Sequence, residues 1–405
     1  MSNQISQLRL IQARVDFIPD GWKLDSVGNA LKIKNSLRKP ISQSVRSTMQ
    51  GPYPYYGPTK IQDYISEYEQ DGTYALIGED GDHFLKYSTM KQTQFISGKC
   101  TVNNHAHIID STKFCSAEWF YIYFQHRNIL NFLSRQGAGR YKLNKATLEE
   151  LPILIPPLLE QQKIAKILTT WDKAINTTER LIENSKQNKK ALMQQLLSGQ
   201  KRLLDDSDQR FSGDWVKTEL KNLLHEESTR NKDGLIERVL SVTNHSGFVL
   251  PEEQFSKRIA SKDTSNYKVV KKGQFGYNPS RLNVGSFARL EVYDEGLLSP
   301  MYVVFSVLKT KLDSDFFLQW MHSHEANQRI KNSTQGSVRE SVNFDALTSI
   351  SVGLPPLEEQ QKIAAVLTNA DREIEVLEQQ LADLHQEKKA LMQQLLTGKK
   401  RVLVD

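Results

Sequence analysis

The sequence predicts an α+β chain with a pseudo-two-fold internal repeat: two mixed α/β domains joined by two long helices that form an antiparallel coiled coil. Three observations predict it. One motif occurs twice, a heptad seam follows each copy, and the stretches between the copies are unlike one another. At 405 residues the chain is also too long for one hydrophobic core, so size alone predicts more than one domain.

The motif is Ile155-Pro156-Pro157-Leu158-Leu159-Glu160-Gln161-Gln162-Lys163-Ile164-Ala165. It recurs, 199 residues later, as Leu354-Pro355-Pro356-Leu357-Glu358-Glu359-Gln360-Gln361-Lys362-Ile363-Ala364. The same offset runs without a gap to Lys189 through Gly199, which matches Lys388 through Gly398. Upstream, Gln136-Gly137-x-x-Arg140-x-x-x-Asn144 matches Gln335-Gly336-x-x-Arg339-x-x-x-Asn343. Gly21-Trp22-Lys23 faintly resembles Asp214-Trp215-Val216-Lys217, whereas residues 38–130 and 230–330 share almost nothing. A period this long means a duplicated domain, not a solenoid. The expected divisions are a first domain over 1–154, a helix over 155–204, a second domain over 205–353 and a second helix over 354–405.

Each helix has its punctuation. The proline pairs fix an extended entry and tolerate the first helical turn, and Gly199 and Gly398 are stop signals. The second copy has a seam of Ile363, Leu367, Ala370, Ile374, Leu377, Leu381, Leu384, Lys388, Leu391 and Leu395. The first reads Ile164, Leu168, Trp171, Ile175, Thr178, Ile182, Ser185, Lys189, Leu192 and Leu196, with more polar insertions. Alternating steps of four and three are a coiled-coil seam, and each helix would be roughly 60 Å long. The second helix can cover its seam along the first only by running back, hence the antiparallel pair.

The blocks between read as mixed structure. In the first, Gly51–Gly57 is expected as an aromatic, turn-rich loop, Tyr74–Ile77 as a strand, Cys100–Ile109 as another, and Glu118–Leu133 as a helix. In the second, Val239–Thr243, Phe275–Asn278 and Tyr302–Phe305 are expected strands and Asp315–Lys331 a helix.

Composition excludes several classes. No apolar run is long enough to span a bilayer, and the polar N-terminus lacks a signal-peptide core. With Cys100 and Cys115 as the only cysteines, a disulfide framework is excluded and the cytoplasm is the expected compartment. The net charge is +6. It is carried by the first 204 residues, with 27 Lys+Arg against 18 Asp+Glu, while the rest has 26 against 29. A polyanionic partner is therefore expected to meet a local basic face, not bulk charge.

Loop side chains match the chemistry of base and phosphate contact: Arg and Lys for guanine, Asn and Gln for adenine, hydroxyls for phosphate. Candidate DNA-binding residues are Tyr55, Tyr56, Lys60, Asn103, Asn104, His105 and Arg140 in the first block. In the second they are Arg258, Lys262, Asn278, Arg281, Asn283, Arg289 and Arg339. Arg140 and Arg339 stand out because each follows a glycine-containing loop in both copies, where tying that loop to the helix is the alternative role.

The paired helix starts and the segment Ala390-Leu391-Met392-Gln393-Gln394-Leu395-Leu396-Thr397-Gly398 resemble the specificity subunits of type I restriction–modification enzymes. So do Gly78-Glu79-Asp80-Gly81, Asn103–His107, Tyr277–Arg281 and Ser299–Phe305, so that the likeness covers nearly the whole chain. The resemblance implies that each block is a target recognition domain and that together they read a bipartite, asymmetric double-stranded DNA sequence with an unread gap. It further implies that the helices set the gap and dock two modification subunits, which bring S-adenosylmethionine and methylate adenine. Two restriction subunits, using ATP and Mg2+, would join to translocate and cut.

This chain is expected to hold no cofactor and to be non-catalytic. Tyr277-Asn278-Pro279-Ser280 is superficially similar to the Asn-Pro-Pro-aromatic motif of adenine methyltransferases, but lacks the aromatic and any preceding glycine-rich loop. Gly137-Ala138-Gly139 is a lone fragment, and no phosphate-binding loop is present. His105-x-His107 and His322-x-His324 lack the companion ligands of a metal site. The rival readings are a stand-alone DNA methyltransferase or nuclease, and a coiled-coil adaptor that does not bind DNA.

Overall fold

The proline pairs end a strand and begin a helix in both halves, and this junction organises the structure. A computed structural model describes residues 7–136, 140–254, 263–334 and 341–403. It divides into two units, Met1–Thr178 with Gln380–Asp405, and Glu179–Gln379. Each unit thus takes one unlike block together with a part of each long helix.

In the first unit the order is α1 (Gln7–Ala13), β1 (Lys23–Ser26), α2 (Val27–Ala30), β2 (Lys32–Ile33), α3 (Gln43–Thr48), β3 (Gln50–Tyr56), β4 (Ile61–Ile65), β5 (Gln70–Gly78), β6 (Thr93–Val102) and β7 (Ala106–Asp110). There follow α4 (Ala117–Phe124), β8 (Ser134–Gln136), β9 (Arg140–Lys142), α5 (Lys145–Glu150), β10 (Pro152–Ile155) and the long α6 (Leu158–Leu196). Six strands form one sheet in the order β2-β7-β5-β6-β3-β4, antiparallel except where β3 meets β6. Trp119, Phe120, Tyr123 and Phe124 of α4 cover it, in one core with Ile164 and Leu168 of α6 and Leu395 of the second long helix.

The second unit carries β11 (Val216–Glu219), β12 (Leu224–Glu226), β13 (Ser241–Thr243), β14 (Gly247–Val249), α7 (Pro251–Gln254), β15 (Lys268–Lys271), β16 (Phe275–Tyr277), β17 (Phe287–Arg289), β18 (Glu295–Leu298) and β19 (Val303–Val307). Then come α8 (Ser314–Met321), α9 (His324–Thr334), α10 (Phe344–Thr348), β20 (Ser351–Leu354) and α11 (Leu357–Leu395). Its main sheet runs β12-β19-β16-β17. Phe275, Phe287 and Phe305 form a cluster of near-parallel rings, with Phe275 5.5 Å from Phe287 and 5.4 Å from Phe305, and this core continues to Ile363 and Leu367 of α11 and Leu196 of α6. The blocks differ, but the frames agree. β1 pairs antiparallel with β10, Lys23 opposite Ile155, as β11 pairs with β20, Val216 opposite Leu354.

The two long helices are each 39 residues. Along both, the predicted seam positions are the buried or half-buried ones and their flanks are mostly exposed. Within each unit the end of one helix packs on the start of the other, so the pairing is antiparallel. The two lysines in the seam are not defects. Lys388 Nζ lies 2.9 Å from Asp172 of the facing helix in the first unit, and Lys189 pairs with Asp371 in the second. The 199-residue offset relates these pairs to one another.

Several local expectations change. Of the loop expected over Gly51–Gly57, all but Gly57 lies in strand β3. Pro52 and Pro54 are tolerated because β3 pairs with β6 only at Tyr55 and Tyr56, leaving the rest bonded on one side. Cys100–Ile109 is two strands, divided by a turn in which Asn103 Oδ1 accepts from the His105 amide at 2.8 Å, an alternative to ladder pairing open to Asn. The helix expected over Glu118–Leu133 stops at Phe124. Asn128 Oδ1 takes the Leu130 amide at 3.1 Å and starts a 3-10 turn over Leu130–Phe132. Asp315–Lys331 is interrupted: α8 ends at Met321, and Ser323 Oγ accepts from the Ala326 amide to begin α9. Of the strand expected over Val239–Thr243, only Ser241–Thr243 forms a ladder.

Candidate nucleic-acid interface

The repeated helix start holds each block to the frame through two adjacent side chains. Glu160 is 1% exposed. Its carboxylate accepts from Trp22 Nε1 at 2.9 Å and from both Nε and Nη2 of Arg401, at 2.7 and 2.8 Å. Burial alone would raise its pKa, but the hydrogen bonds from Arg401 and Trp22 hold it below the usual value. Glu359 repeats this in the second unit, with Arg202 at 2.6 and 2.7 Å and Trp215 Nε1 at 3.3 Å. Next to it, Gln161 accepts from the Ser116 amide and donates to the carbonyls of Phe114 and Pro156. Gln360 does the same with the Asp313 amide and the carbonyls of Lys311 and Pro355. Ser116 and Asp313 are themselves the N-caps of α4 and α8. The doubled Glu-Gln pair signals these clamps in sequence, although their partners do not.

In the first unit, the loop at 40–42, α3, β4 and the 103–105 turn enclose an open cleft of about 380 Å³. Tyr55 is 1% exposed and forms its wall. The phenol accepts from the Ile41 amide at 2.9 Å and donates to the Lys39 carbonyl at 3.2 Å. The Arg46 guanidinium lies over the ring at 4.8 Å and is held by Asp63 and the Ile41 carbonyl. Asn103 is buried, whereas Asn104 and His105 are exposed on the rim, His105 Nδ1 lying 3.0 Å from Asp80 Oδ2. The Asn104 carbonyl accepts from Arg38, which also pairs with Glu79 at 2.7 Å. Tyr56 is half-buried, and burial raises its phenol pKa. Lys60 is exposed in the β3–β4 turn. Arg140 opens β9, but its side chain lies outside the described residues. Sequence reasoning passed over Gln62, on β4, which also lines the cleft.

The second unit presents a 3-10 turn over Pro279–Val284. Asn278 caps it, Oδ1 accepting from the Ser280 amide at 3.0 Å. Gly285 closes it at φ +91°, a left-handed conformation suited to glycine. Buried Leu282 and the Ser286 hydroxyl, which donates to the Val242 carbonyl at 2.8 Å, anchor the turn. Arg281 is thereby left exposed and Asn283 half-buried. Arg289 sits apart from this turn, half-buried between Glu291 and Asp315. Arg258, Lys262 and Arg339 lie outside the described residues.

The two histidines of His105-x-His107 do not face one another's ligand. His107 is buried, accepting from Asn35 at Nδ1 and donating to the Leu143 carbonyl at Nε2, 2.7 Å away. Desolvation lowers its pKa, so it is neutral. Among the described residues no group of three His, Cys, Asp or Glu side chains is placed to hold a metal ion. Burial pushes the Cys100 thiol up to about 11 and Cys115 to about 12, which leaves both protonated and poor nucleophiles. No helix among the described residues is long and apolar enough to cross a membrane.

Comparison with known proteins gives a consistent result. A family model described as the type I restriction modification DNA specificity domain matches residues 19–185 and 257–386. A putative type I restriction enzyme specificity subunit of Haemophilus influenzae is 40% identical over 148 residues, 36% of this chain and 36% of that one, so the match spans about a third of that relative. The type I restriction enzyme MjaVIII specificity subunit of Methanocaldococcus jannaschii is 24% identical over 95% of this chain and 94% of its own. The crystal structure of a type I restriction–modification S subunit from M. genitalium superposes with a TM-score of 0.61, covering 94% of this chain and 96% of that one at 13% identity. With the family match extending over both units, the chain belongs to the type I restriction–modification DNA specificity family.

Proposed function

We propose that this chain is the non-catalytic subunit that reads a bipartite, asymmetric double-stranded DNA target and directs partner subunits to it. The block at 1–154 reads one half and the block at 205–353 the other. The helices at 155–204 and 354–405 set the unread gap and carry two modification subunits, which bring S-adenosylmethionine and methylate adenine. Two restriction subunits, with ATP and Mg2+, complete the cytoplasmic complex. The observation that carries this reading is the doubled frame: the same Glu-Gln clamp and the same helix hold two unlike blocks, as independent reading of two half-sites requires.

The candidate residues divide by what they are free to do. Lys60, Asn104, His105 and Arg281 are exposed and are proposed to meet phosphate or base edges. Tyr55, Asn103 and Arg289 are committed to intramolecular bonds, so their proposed part is to shape the surfaces that do. The test exchanges residues 205–353 for the equivalent block of a relative and maps methylated adenines in a host that also expresses the modification subunit. One half-site should change and the other stay. A simultaneous change in both would overturn independent reading, and methyl transfer by the rigorously purified chain alone would overturn its non-catalytic role.

A further inference from the structure

We propose that Gln62 is a specificity-determining residue that recognises an adenine edge in the half-site read by the first unit, an inference that rests on the function proposed above. Its amide is oriented by a chain of bonds with one fixed starting point. The His105 backbone amide can only donate, and it donates to Asn103 Oδ1 at 2.8 Å. Asn103 must therefore turn its nitrogen outward, and Nδ2 donates to Gln62 Oε1 at 3.1 Å. Asn103 is 4% exposed and so cannot trade this arrangement for water. The order of donors and acceptors leaves Gln62 with its Nε2 hydrogens and the second lone pair of Oε1 unassigned.

One donor beside one acceptor is the pattern that complements adenine, whose major-groove edge offers N7 to accept and N6 to donate. Guanine offers two acceptors there, and cytosine one donor. Gln62 is exposed and lines the cleft with Asn104 and His105. The cleft walls are pre-formed, because Tyr55 and Arg46 are tied to the 39–41 loop. Gly57 belongs to the same device: a Cβ there would lie 2.5 Å from Gln62 Nε2, so only glycine lets the amide rest in this position.

The experiment expresses the full chain with its modification subunit and maps methylated adenines across a host genome for the wild type, Gln62→Ala and Gln62→Glu. Gln62→Ala should lose discrimination at a single position of the first unit's half-site by about tenfold to a hundredfold, the range for one bidentate base contact. Gln62→Glu keeps the acceptor for Asn103 but loses the donor, so it should move that position from adenine towards cytosine. Gly57→Ala should blur the same position. An unchanged motif in Gln62→Glu at wild-type methylation would overturn the proposal. Exchange of residues 38–130 separates that failure from a failure of the wider reading, since the exchange should still alter this half-site if the first unit reads DNA at all. Should Gln62→Ala fold poorly, the isosteric Gln62→Glu still decides.

Discussion

Asp172 and Asp371 occupy equivalent positions on the two long helices, and the two units treat them alike in one respect and differently in another. Each meets a lysine from the facing helix, Lys388 in the first unit and Lys189 in the second. The third partner comes from the unlike block. In the first unit it is Lys91, 2.9 Å from Asp172. In the second it is Gln319, whose Nε2 donates to Asp371 at 2.8 Å. A charged partner and a neutral one have found the same carboxylate. The frame therefore fixes the acceptor and leaves the block free to supply any donor that reaches it.

The largest expected effect comes from reversing one charge. Lys388→Asp puts two carboxylates together in a largely buried site, where loss of one partner alone costs about 3–5 kcal/mol. Hydrogen exchange followed by mass spectrometry should show loss of protection over the first unit's helix segments. The exchanged pair, Lys388→Asp with Asp172→Lys, should recover only part of it, because Lys91 then faces a lysine. The corresponding exchange at 189 and 371 should recover more, since the Gln319 amide can present its oxygen. Equal recovery in both units would show that the third partner contributes nothing.

The clamps provide a second contrast. Glu160 and Glu359 are both buried, but the Arg401 side chain is 42% exposed and that of Arg202 only 17%. Arg202→Ala should destabilise its unit by about 3–5 kcal/mol, as expected when a buried carboxylate is left unpaired. Arg401→Ala should cost less, because water already reaches that side of the pair. Denaturant titrations with a tryptophan signal from Trp215 or Trp22 would rank them.

A smaller and symmetric loss is expected for Gln161→Glu and Gln360→Glu. Each removes two amide donations to backbone carbonyls and should cost about 2–3 kcal/mol. The two costs should agree although the blocks do not, and unequal costs would mean that block side chains matter at the junction. The smallest effect is on acid stability. Burial would raise the Asp172 pKa, but hydrogen bonds from Lys388 and Lys91 outweigh it and hold the value below 3.8. A depressed carboxylate pKa adds stability that is present above the unfolded value and lost as pH falls through the folded one. The acid limb of the stability curve below about pH 4 should therefore be shallower in Asp172→Asn than in the wild type.

The helices were legible because their seam repeats a one-dimensional pattern, and burial follows it from Ile164 to Leu196 and from Ile363 to Leu395. The blocks were less so. Tyr55 reads as a loop aromatic, yet it is buried, with Arg46 over its ring and its hydroxyl bonded to the 39–41 loop. Arg289 reads as a base contact, yet Glu291 and Asp315, one of them 26 residues away, hold it. Gln62 carries no local signal, since its meaning depends on Asn103, 41 residues on. Polar side chains acquire their roles from partners that only the fold supplies. The Glu-Gln pair at each helix start was visible as a repeat, but its tie to Arg401, 241 residues from Glu160, was not.

Gln161 and Gln360 reach into their blocks only through main-chain atoms: one amide and one carbonyl each, beside the start of a helix. Main-chain groups are the same in every sequence. In genetic terms, a crossover that brings in foreign coding sequence between the two repeats has to supply, for this glutamine, only a backbone path and a capped helix. On the function proposed above, a block seated through this glutamine would bring its own recognition sequence with it.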